Sequence, residues 1–435
     1  VDCGIKAIDQ VNFANSEGID VIICDHHLPG EKLPDAIILN PKQKGCPYPF
    51  KELCGCGVGF KLIQALNHSR MLPYDEVLPA LDMVLVAIGA DIVPIVGENR
   101  ILAFHGLKRL NEAPRLGFKK LLDLANKKHY LSVQDVVFTL APRINAAGRI
   151  ESGNQAVKLL LARTDEEVDA ISILINEHNE TRKELDRRIT SEALDQIKNN
   201  EWLMAANSTI VYDPNWHKGV VGIVASRLTE TYYRPTIVLT ESNGFAVGSA
   251  RSVKGFNIYN AINECSDLLH QFGGHDFAAG MTLPIENVDD FRIKFDAVVK
   301  ELIEKEMLVP SIEVATKIEF RDIYESERGG IPKFFRVLKQ LAPFGPENLN
   351  PNFITERVKD KGSRILKDEH IKFQVYQEEY GDIIVDGIGF GLADKFHLLQ
   401  DGAFDIVYSL EENHWNGNVN LQLMVKDIRP SQPIL

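Results

Sequence analysis

Cysteine is scarce in this chain of 435 residues: there are six thiols, at Cys3, Cys24, Cys46, Cys54, Cys56 and Cys265. The only close pair, Cys54-Gly55-Cys56, lacks the Cys-x-x-Cys spacing of a zinc site. The thiols are therefore expected to pack as small apolar groups in a reduced, cytoplasmic setting. Long apolar runs are missing too, and none approaches the roughly 18 residues that span a bilayer. No basic-then-apolar leader precedes Val1-Asp2-Cys3-Gly4 and no Met opens the chain, so a fragment or a processed chain is expected. Positive charge is in deficit, with 48 Lys and Arg against 61 Asp and Glu and a net charge of −13. That balance argues against wholesale polyanion binding, but leaves room for a locally basic groove or a site whose metal supplies the charge. There is no internal repeat and no low-complexity segment.

What is present is a globular composition, 45% hydrophobic and 25% charged. The length exceeds one ordinary core and predicts several domains. Residues 1–110 alternate short apolar runs with amphipathic stretches, which indicates an α/β domain with a mostly parallel sheet, expected to extend over residues 1–163. Its strands are expected at 21–24 and 36–39, a helix at 57–68 and another buried segment at 81–90. Val1-Asp2 reads as the last step of a further strand. Residues 164–201 are charged and free of Gly and Pro, with Ile171, Ile175, His178, Leu185 and Ile189 at helical spacing, predicting one long helix that connects two lobes. Residues 202–310 read as a second α/β domain, with strands at 208–212 and 236–239 and helices at 219–230 and 256–269. Residues 311–435 carry short strands at 371–377, 383–389, 404–410 and 419–425. Turns at Glu379-Tyr380-Gly381-Asp382 and Asn416-Gly417-Asn418 separate them, predicting a small antiparallel barrel of about five strands.

Four constellations carry chemistry. Asp25-His26-His27 ends the apolar run at 19–24, where open α/β sheets bind ligands. An acid and two imidazoles there are either a solvated polar turn or ligands for a divalent metal such as Mn²⁺. Asp2 and Asp91 also follow apolar runs and would converge on the same sheet edge, the lesser alternative for Asp91 being a helix cap before Val93-Pro94. Carboxylates from separate strands plus a histidine suit two-metal phosphoryl transfer. The second constellation is Pro142-Arg143-Ile144-Asn145-Ala146-Ala147-Gly148-Arg149, where guanidinium forks among small residues can grip phosphate, or simply stay solvated. In the third, Trp216-His217-Lys218-Gly219 leads into a helix whose amino terminus favours anions. The fourth joins Ser249 and Arg251, two apart on one strand, with Gly273-Gly274-His275 and Ala278-Ala279-Gly280, where glycine permits close backbone approach.

Taken in order, these motifs resemble the DHH phosphoesterase superfamily and, within it, the bacterial single-strand-specific exonucleases of the RecJ family. Asp25-His26-His27 matches the motif that names the superfamily, and Gly273-Gly274-His275 matches the signature of its associated second domain. Ala90-Asp91-Ile92-Val93-Pro94, the 142–149 segment and Trp216–Ile223 are similar to further motifs in order and spacing, and the likeness runs essentially from residue 1 to residue 435. The resemblance implies a Rossmann-like parallel-sheet DHH domain and a DHH-associated α/β domain joined by the long helix, then an OB-like β-barrel that binds nucleic acid. It implies 5′-to-3′ hydrolysis of single-stranded DNA with Mn²⁺ or Mg²⁺, in DNA repair and recombination, in a groove too narrow for duplex. Carried over by position, Asp2, His26 and Asp91 would be metal ligands, with Asp2 bridging two ions. Asp25 and His27 would complete the catalytic set with His26. Arg143, Asn145, Arg149, His217, Ser249, Arg251 and His275 would hold phosphates, Ser249 and Arg251 at the 5′ end. The implied partners are single-stranded DNA, a single-strand-binding protein and a helicase, with no membrane and a monomeric chain.

One departure stands out. The family's first motif, an Asp-x-Asp-type strand end upstream of Asp2, is absent, and it would supply most ligands of the other metal. The expectation is that this chain by itself retains one metal site and is impaired. Two other readings follow from the same residues: a catalytically dead relative that binds single-stranded DNA or acts as a scaffold, and a DHH phosphodiesterase acting on short oligonucleotides.

Overall fold

The ends of two short strands set the scene for the first site. In the computed structural model, which describes residues 1–127, 129–324, 331–380, 383–415 and 418–431, β1 (Ile22–Cys24) and β2 (Ile37–Leu39) pair in parallel, Ile22 opposite Ile37. The Asp2 amide donates to the Cys24 carbonyl at 2.7 Å and the Asp25 amide to the Leu39 carbonyl at 3.0 Å, so three backbone segments run side by side at this edge. The parallel register agrees with the expectation; the extent does not, because this sheet has two strands among the described residues.

Helices account for most of the rest of this region: α1 (Ile8–Ser16), α2 (Gly55–Ser69), α3 (Leu81–Asp91), α4 (Gly97–Glu112), α5 (Leu116–Leu124) and the single turn α6 (Val133–Asp135). The run before Asp91 is thus a helix end and not a strand end. Hydrophobicity alone does not distinguish the two when a segment is buried nearly all round, as α3 is through Leu81, Val84, Leu85, Val86 and Ile88. Gly106 of α4 makes that burial possible: a Cβ there would lie 2.4 Å from the Leu81 carbonyl oxygen and 2.7 Å from Leu85 Cβ. All six cysteines are free thiols, and Cys54 caps α2 by accepting from the Gly57 amide at 3.3 Å.

The chain divides into two compact units, one made of Val1–Ala141 and Ile312–Leu435, the other of Pro142–Ser311. The second unit opens with α7 (Ala141–Ile150) and α8 (Asn154–Leu161), then the 34-residue α9 (Asp165–Lys198). Thr164 caps α9 by accepting from the Glu167 amide, and Asp165, Glu166 and Glu167 oppose the positive end of its dipole. The carboxyl-terminal half of α9 packs into a core, with Ile189, Ala193 and Ile197 buried against Val221, Val224 and Leu228.

After α10 (Glu201–Ala205) come β3 (Thr209–Tyr212), α11 (Val221–Tyr232), β4 (Thr236–Ser242), β5 (Phe245–Arg251), α12 (Ile258–Asn263), β6 (Gln271–His275), β7 (Ala278–Pro284) and α13 (Val288–Leu302). The sheet order is β3-β4-β5-β7-β6; β3 and β4 are parallel and the other pairs antiparallel. The helix expected at 256–269 is shorter than its pattern, because Cys265-Ser266-Asp267-Leu268 tightens into a 3₁₀ turn. Ser and Asp compete for backbone partners there and favour the turn.

Residues 312–431 form a seven-stranded sheet: β8 (Thr316–Lys317), β9 (Phe353–Asp360), β10 (Arg364–Leu366), β11 (His370–Gln377), β12 (Val385–Gly389), β13 (Phe404–Trp415) and β14 (Asn418–Pro430), with helices α14 (Phe320–Tyr324) and α15 (Lys333–Leu338). The expectation of about five antiparallel strands is corrected on two points. Two small strands, β8 and β10, flank the set, and β8–β9 and β12–β14 pair in parallel. Phe353, Phe373, Phe404 and Tyr408 fill its core. Both expected turns lie partly outside the described residues, at 381–382 and 416–417. The Ile95 amide donates to the Pro346 carbonyl at 2.7 Å and the Arg100 guanidinium donates to the carbonyls of Gln340, Leu341 and Ala342, tying this sheet to the first helices. No helix among the described residues is long and apolar enough to cross a membrane.

Candidate metal centre and phosphate-binding residues

His26 is the centre of the first site. It is buried, and its Nε2 lies 3.2 Å from Asp2 Oδ1 and 3.4 Å from Asp91 Oδ2, two half-exposed carboxylates. Ligands at right angles around an ion with bonds of ~2.1 Å sit about 3 Å apart, so these spacings fit donors that share a cation. Asp2, His26 and His27 offer ligand atoms all within 4.8 Å of one another. His27 stands more exposed, its ring edge-on to His26 with centroids 4.6 Å apart.

The acid of the Asp25-His26-His27 motif has a different place. Asp25 is 1% exposed, and its Oδ2 accepts from the Ile5 amide at 3.0 Å. Its Oδ1 accepts from the amides of His26 (2.8 Å) and His27 (3.2 Å) and meets His27 Nδ1 at 2.8 Å. Burial pushes this carboxyl up, but the His27 ring and the three amides outweigh it and bring its pKa down to about 2. Asp25 therefore stays ionised and shapes the turn that presents the two imidazoles. With Nδ1 held by Asp25, His27 has Nε2 left to face outward.

Backbone geometry and one glycine complete the pocket. Asp2 sits at φ 65° and Ile92 at φ 56°, left-handed conformations that non-glycine residues adopt at a cost. Ile92 ends α3 directly after Asp91, leaving that carboxylate at the negative end of the helix dipole. Burial raises the Asp91 pKa, and Asp2 adds to the rise while His26 opposes it. A carboxylate so placed gains from a neighbouring cation. Gly55, the first residue of α2, leaves room for Asp2: a Cβ there would lie 2.2 Å from Asp2 Oδ1. Sequence reading missed Gly55, because the segment around it drew notice only for its cysteines. Burial raises the pKa of both thiols, Cys54 to about 12 and Cys56 to about 11, which disfavours the thiolate.

The second site lies wholly in the other unit. Strand register puts Ser249 opposite Gly280, itself opposite Gly273, and Arg251 opposite Ala278, itself opposite His275. Directly opposed residues share a sheet face, so Ser249, Arg251 and His275 rise from one floor whose other members are glycine and alanine. Arg251 donates to Ser249 Oγ at 2.7 Å, as their spacing along β5 requires. Gly222 in the first turn of α11 permits this approach, since a Cβ there would lie 3.0 Å from both the Arg251 guanidinium and Ser249 Oγ.

Arg149 donates to the Gly219 carbonyl at 3.0 Å, and the Gly219 amide donates to His217 Nδ1 at 3.1 Å, linking the second and third constellations. A neutral His217 then carries its proton on Nε2, available to an anion. Arg143 on α7 donates to Asn176 Oδ1 of α9 at 3.3 Å, and exposed Asn145 lies on the same helix. Arg182 of α9 was not found from sequence, where it is one charge among many. Burial lowers its pKa, and Arg149 and Arg227 push the same way while Asp186 opposes them. Burial likewise lowers the pKa of Arg251, with Arg149 contributing. Guanidinium groups gathered at this density are suited to a polyanionic ligand.

Three family profiles cover the chain in order: "DHH family, N-terminal domain" at residues 1–88, "DHHA1 domain" at 205–301 and "RecJ OB domain" at 330–427. Among curated relatives, the single-stranded-DNA-specific exonuclease RecJ of Bacillus subtilis is 37% identical over 99% of this chain and 54% of its own length. The Salmonella typhimurium protein of the same name is 33% identical over 99% of this chain and 76% of its length. A crystal structure of RecJ from Thermus thermophilus in complex with Mn²⁺ superposes with a TM-score of 0.86 at 27% identity, covering all of this chain and 62% of that one. The Mg²⁺ complex from the same organism gives 0.79 at 27% identity, over 96% of this chain and 61% of that one. The chain thus spans about half the length of the Bacillus relative. With the DHH, DHHA1 and OB profiles in this order and the likeness running the length of the chain, the protein belongs to the RecJ family.

Proposed function

We propose that this chain takes part in metal-dependent hydrolysis of single-stranded DNA from the 5′ end; its relatives are named single-stranded-DNA-specific exonucleases, and the Thermus thermophilus structures are Mn²⁺ and Mg²⁺ complexes. The observation that carries the reading is the buried His26 imidazole facing two carboxylate oxygens at 3.2 and 3.4 Å. Mn²⁺ or Mg²⁺ held by Asp2, His26 and Asp91 would supply Lewis acidity toward a phosphoryl oxygen and acidify a coordinated water. The chain's own residues do the rest. Asp25 locks the turn and fixes the tautomer of His27, whose Nε2 is placed to receive or relay a proton. Ser249, Arg251 and His275 hold a terminal phosphate from one sheet face, and Arg149 and His217 hold another oxygen-rich group beside Gly219. Arg143 and Asn145 on α7 extend that grip.

The test is release of nucleotides from a 5′-phosphorylated single strand with and without Mn²⁺. His26→Ala and Asp91→Asn are expected to abolish metal-dependent release, and duplex is expected to resist. Undiminished release by either variant would refute the assignment.

A second reading has its own support. Among the described residues, Asp2, His26 and His27 bring ligand atoms within 4.8 Å of one another, enough for one ion and short of a two-ion clamp. On that reading the chain by itself binds single strands and hydrolyses them slowly. Titration calorimetry with Mn²⁺ distinguishes them: one ion per chain with weak turnover favours it, two ions with rapid turnover exclude it.

A further inference from the structure

The hairpin between β6 and β7 turns in two residues, Asp276 and Phe277, and the second of them is unusual for its place. Tight turns are dominated by Gly, Asn, Asp, Ser and Pro, each for a conformational reason that phenylalanine does not share. Phe277 is 58% exposed, so its ring gains little from burial. The turn beneath it is held on both sides. The Ser252 amide donates to the Phe277 carbonyl at 3.0 Å, Asn257 Nδ2 donates to the Asp276 carboxylate at 2.6 Å, and the Ile258 amide donates to the Asp276 carbonyl at 3.1 Å. Phe277 is thus an aromatic ring presented to solvent from a fixed backbone.

Its neighbours give the ring a use. The hairpin closes on the pair His275–Ala278, and Ala278 pairs in turn with Arg251. Phe277 therefore sits in the turn that directly follows the row carrying two of the phosphate-holding side chains, next to Ala278, with its amide 3.5 Å from His275 Nδ1. A phosphate-holding row joined to an exposed aromatic ring on a held turn is the combination that recognises a nucleotide in a single strand, phosphate by the guanidinium and base by stacking.

We propose that Phe277 is a stacking platform for the nucleobase adjoining the phosphate held by Arg251 and His275. This rests on the reading of that face as a single-strand site. Stacking accepts any base, because every base has a π-face, so the ring adds affinity without sequence preference. The strand therefore binds in a defined orientation and still passes regardless of sequence.

The experiment measures binding of the 435-residue chain to a short 5′-phosphorylated single strand by fluorescence anisotropy, in EDTA so that the strand survives. A second strand has abasic sites at its 5′ end. Phe277→Ala is expected to weaken binding of the base-bearing strand about tenfold, Phe277→Trp to restore it, and the abasic strand to bind equally to all three proteins. An unchanged thermal midpoint shows that Phe277→Ala still folds. Tight wild-type binding that Phe277→Ala leaves unaltered, or lowers equally for both strands, overturns the stacking and leaves the phosphate site standing. Wild-type protein that holds neither strand refutes the single-strand site itself, and the stacking with it.

Discussion

Gly55 and Asp25 show how two residues without a ligand to offer decide whether Asp2, His26 and His27 can act. A Cβ at position 55 would sit 2.2 Å from Asp2 Oδ1, at the first position of a helix that alanine otherwise favours. Gly55→Ala is therefore expected to keep the fold while displacing Asp2, weakening Mn²⁺ binding at least tenfold by calorimetry without lowering the thermal midpoint. Asp25 acts through protonation. Its folded pKa of about 2 lies below the ordinary value near 4, so the stability it contributes is complete above pH ~5. That contribution, about 2 kcal/mol, is lost as pH falls through 4 toward 2. Denaturant titrations should show wild type ahead of Asp25→Asn at pH 6 and the gap roughly halved at pH 3. A gap constant with pH would mean that the hydrogen bonds do not depend on the charge.

At the scale of elements, α9 is the informative one. Its unbroken helical pattern is evident from sequence, but its purpose is set by what packs on it. Asp186 is buried on α9 and accepts two hydrogen bonds from Arg227 of α11, each 2.8 Å. Removing the cation takes two charge-assisted hydrogen bonds from a buried carboxylate, so Arg227→Ala should destabilise the chain by about 3 kcal/mol. A shifted denaturation midpoint would measure it, and Asp186→Leu combined with Arg227→Met should recover most of the loss. The α3 helix teaches the complementary lesson. Its apolar run suits a strand or a helix equally, and the glycine that lets α4 close upon it lies on a different segment, at Gly106.

Over the whole molecule the charge is −13, yet guanidinium groups gather where Arg149, Arg182 and Arg251 influence one another. Binding of single strands should then depend on a few local cations and not on the overall field. If Arg143, Arg149 and Arg251 neutralise about three phosphates, the logarithm of affinity should fall with that of salt concentration with a slope of about −2. A slope several times steeper would point instead to a broad basic surface.

The sequence by itself determined what short-range chemistry can write. It showed an acid and two imidazoles at a strand end, Ser249 and Arg251 on one face through two-residue alternation, a long helix without Gly or Pro, and motifs in the order of the RecJ family. These are legible because period, cap and motif lie within a few consecutive residues. Only the tertiary structure decided which distant residues meet. It set Asp91 at a helix end beside His26, made Gly55 the space for Asp2, turned Asp25 inward to four donors, and brought Arg182 toward Arg149. Each of these depends on close packing between segments far apart in the chain, and packing distances of a few tenths of an ångström leave no trace in a linear pattern.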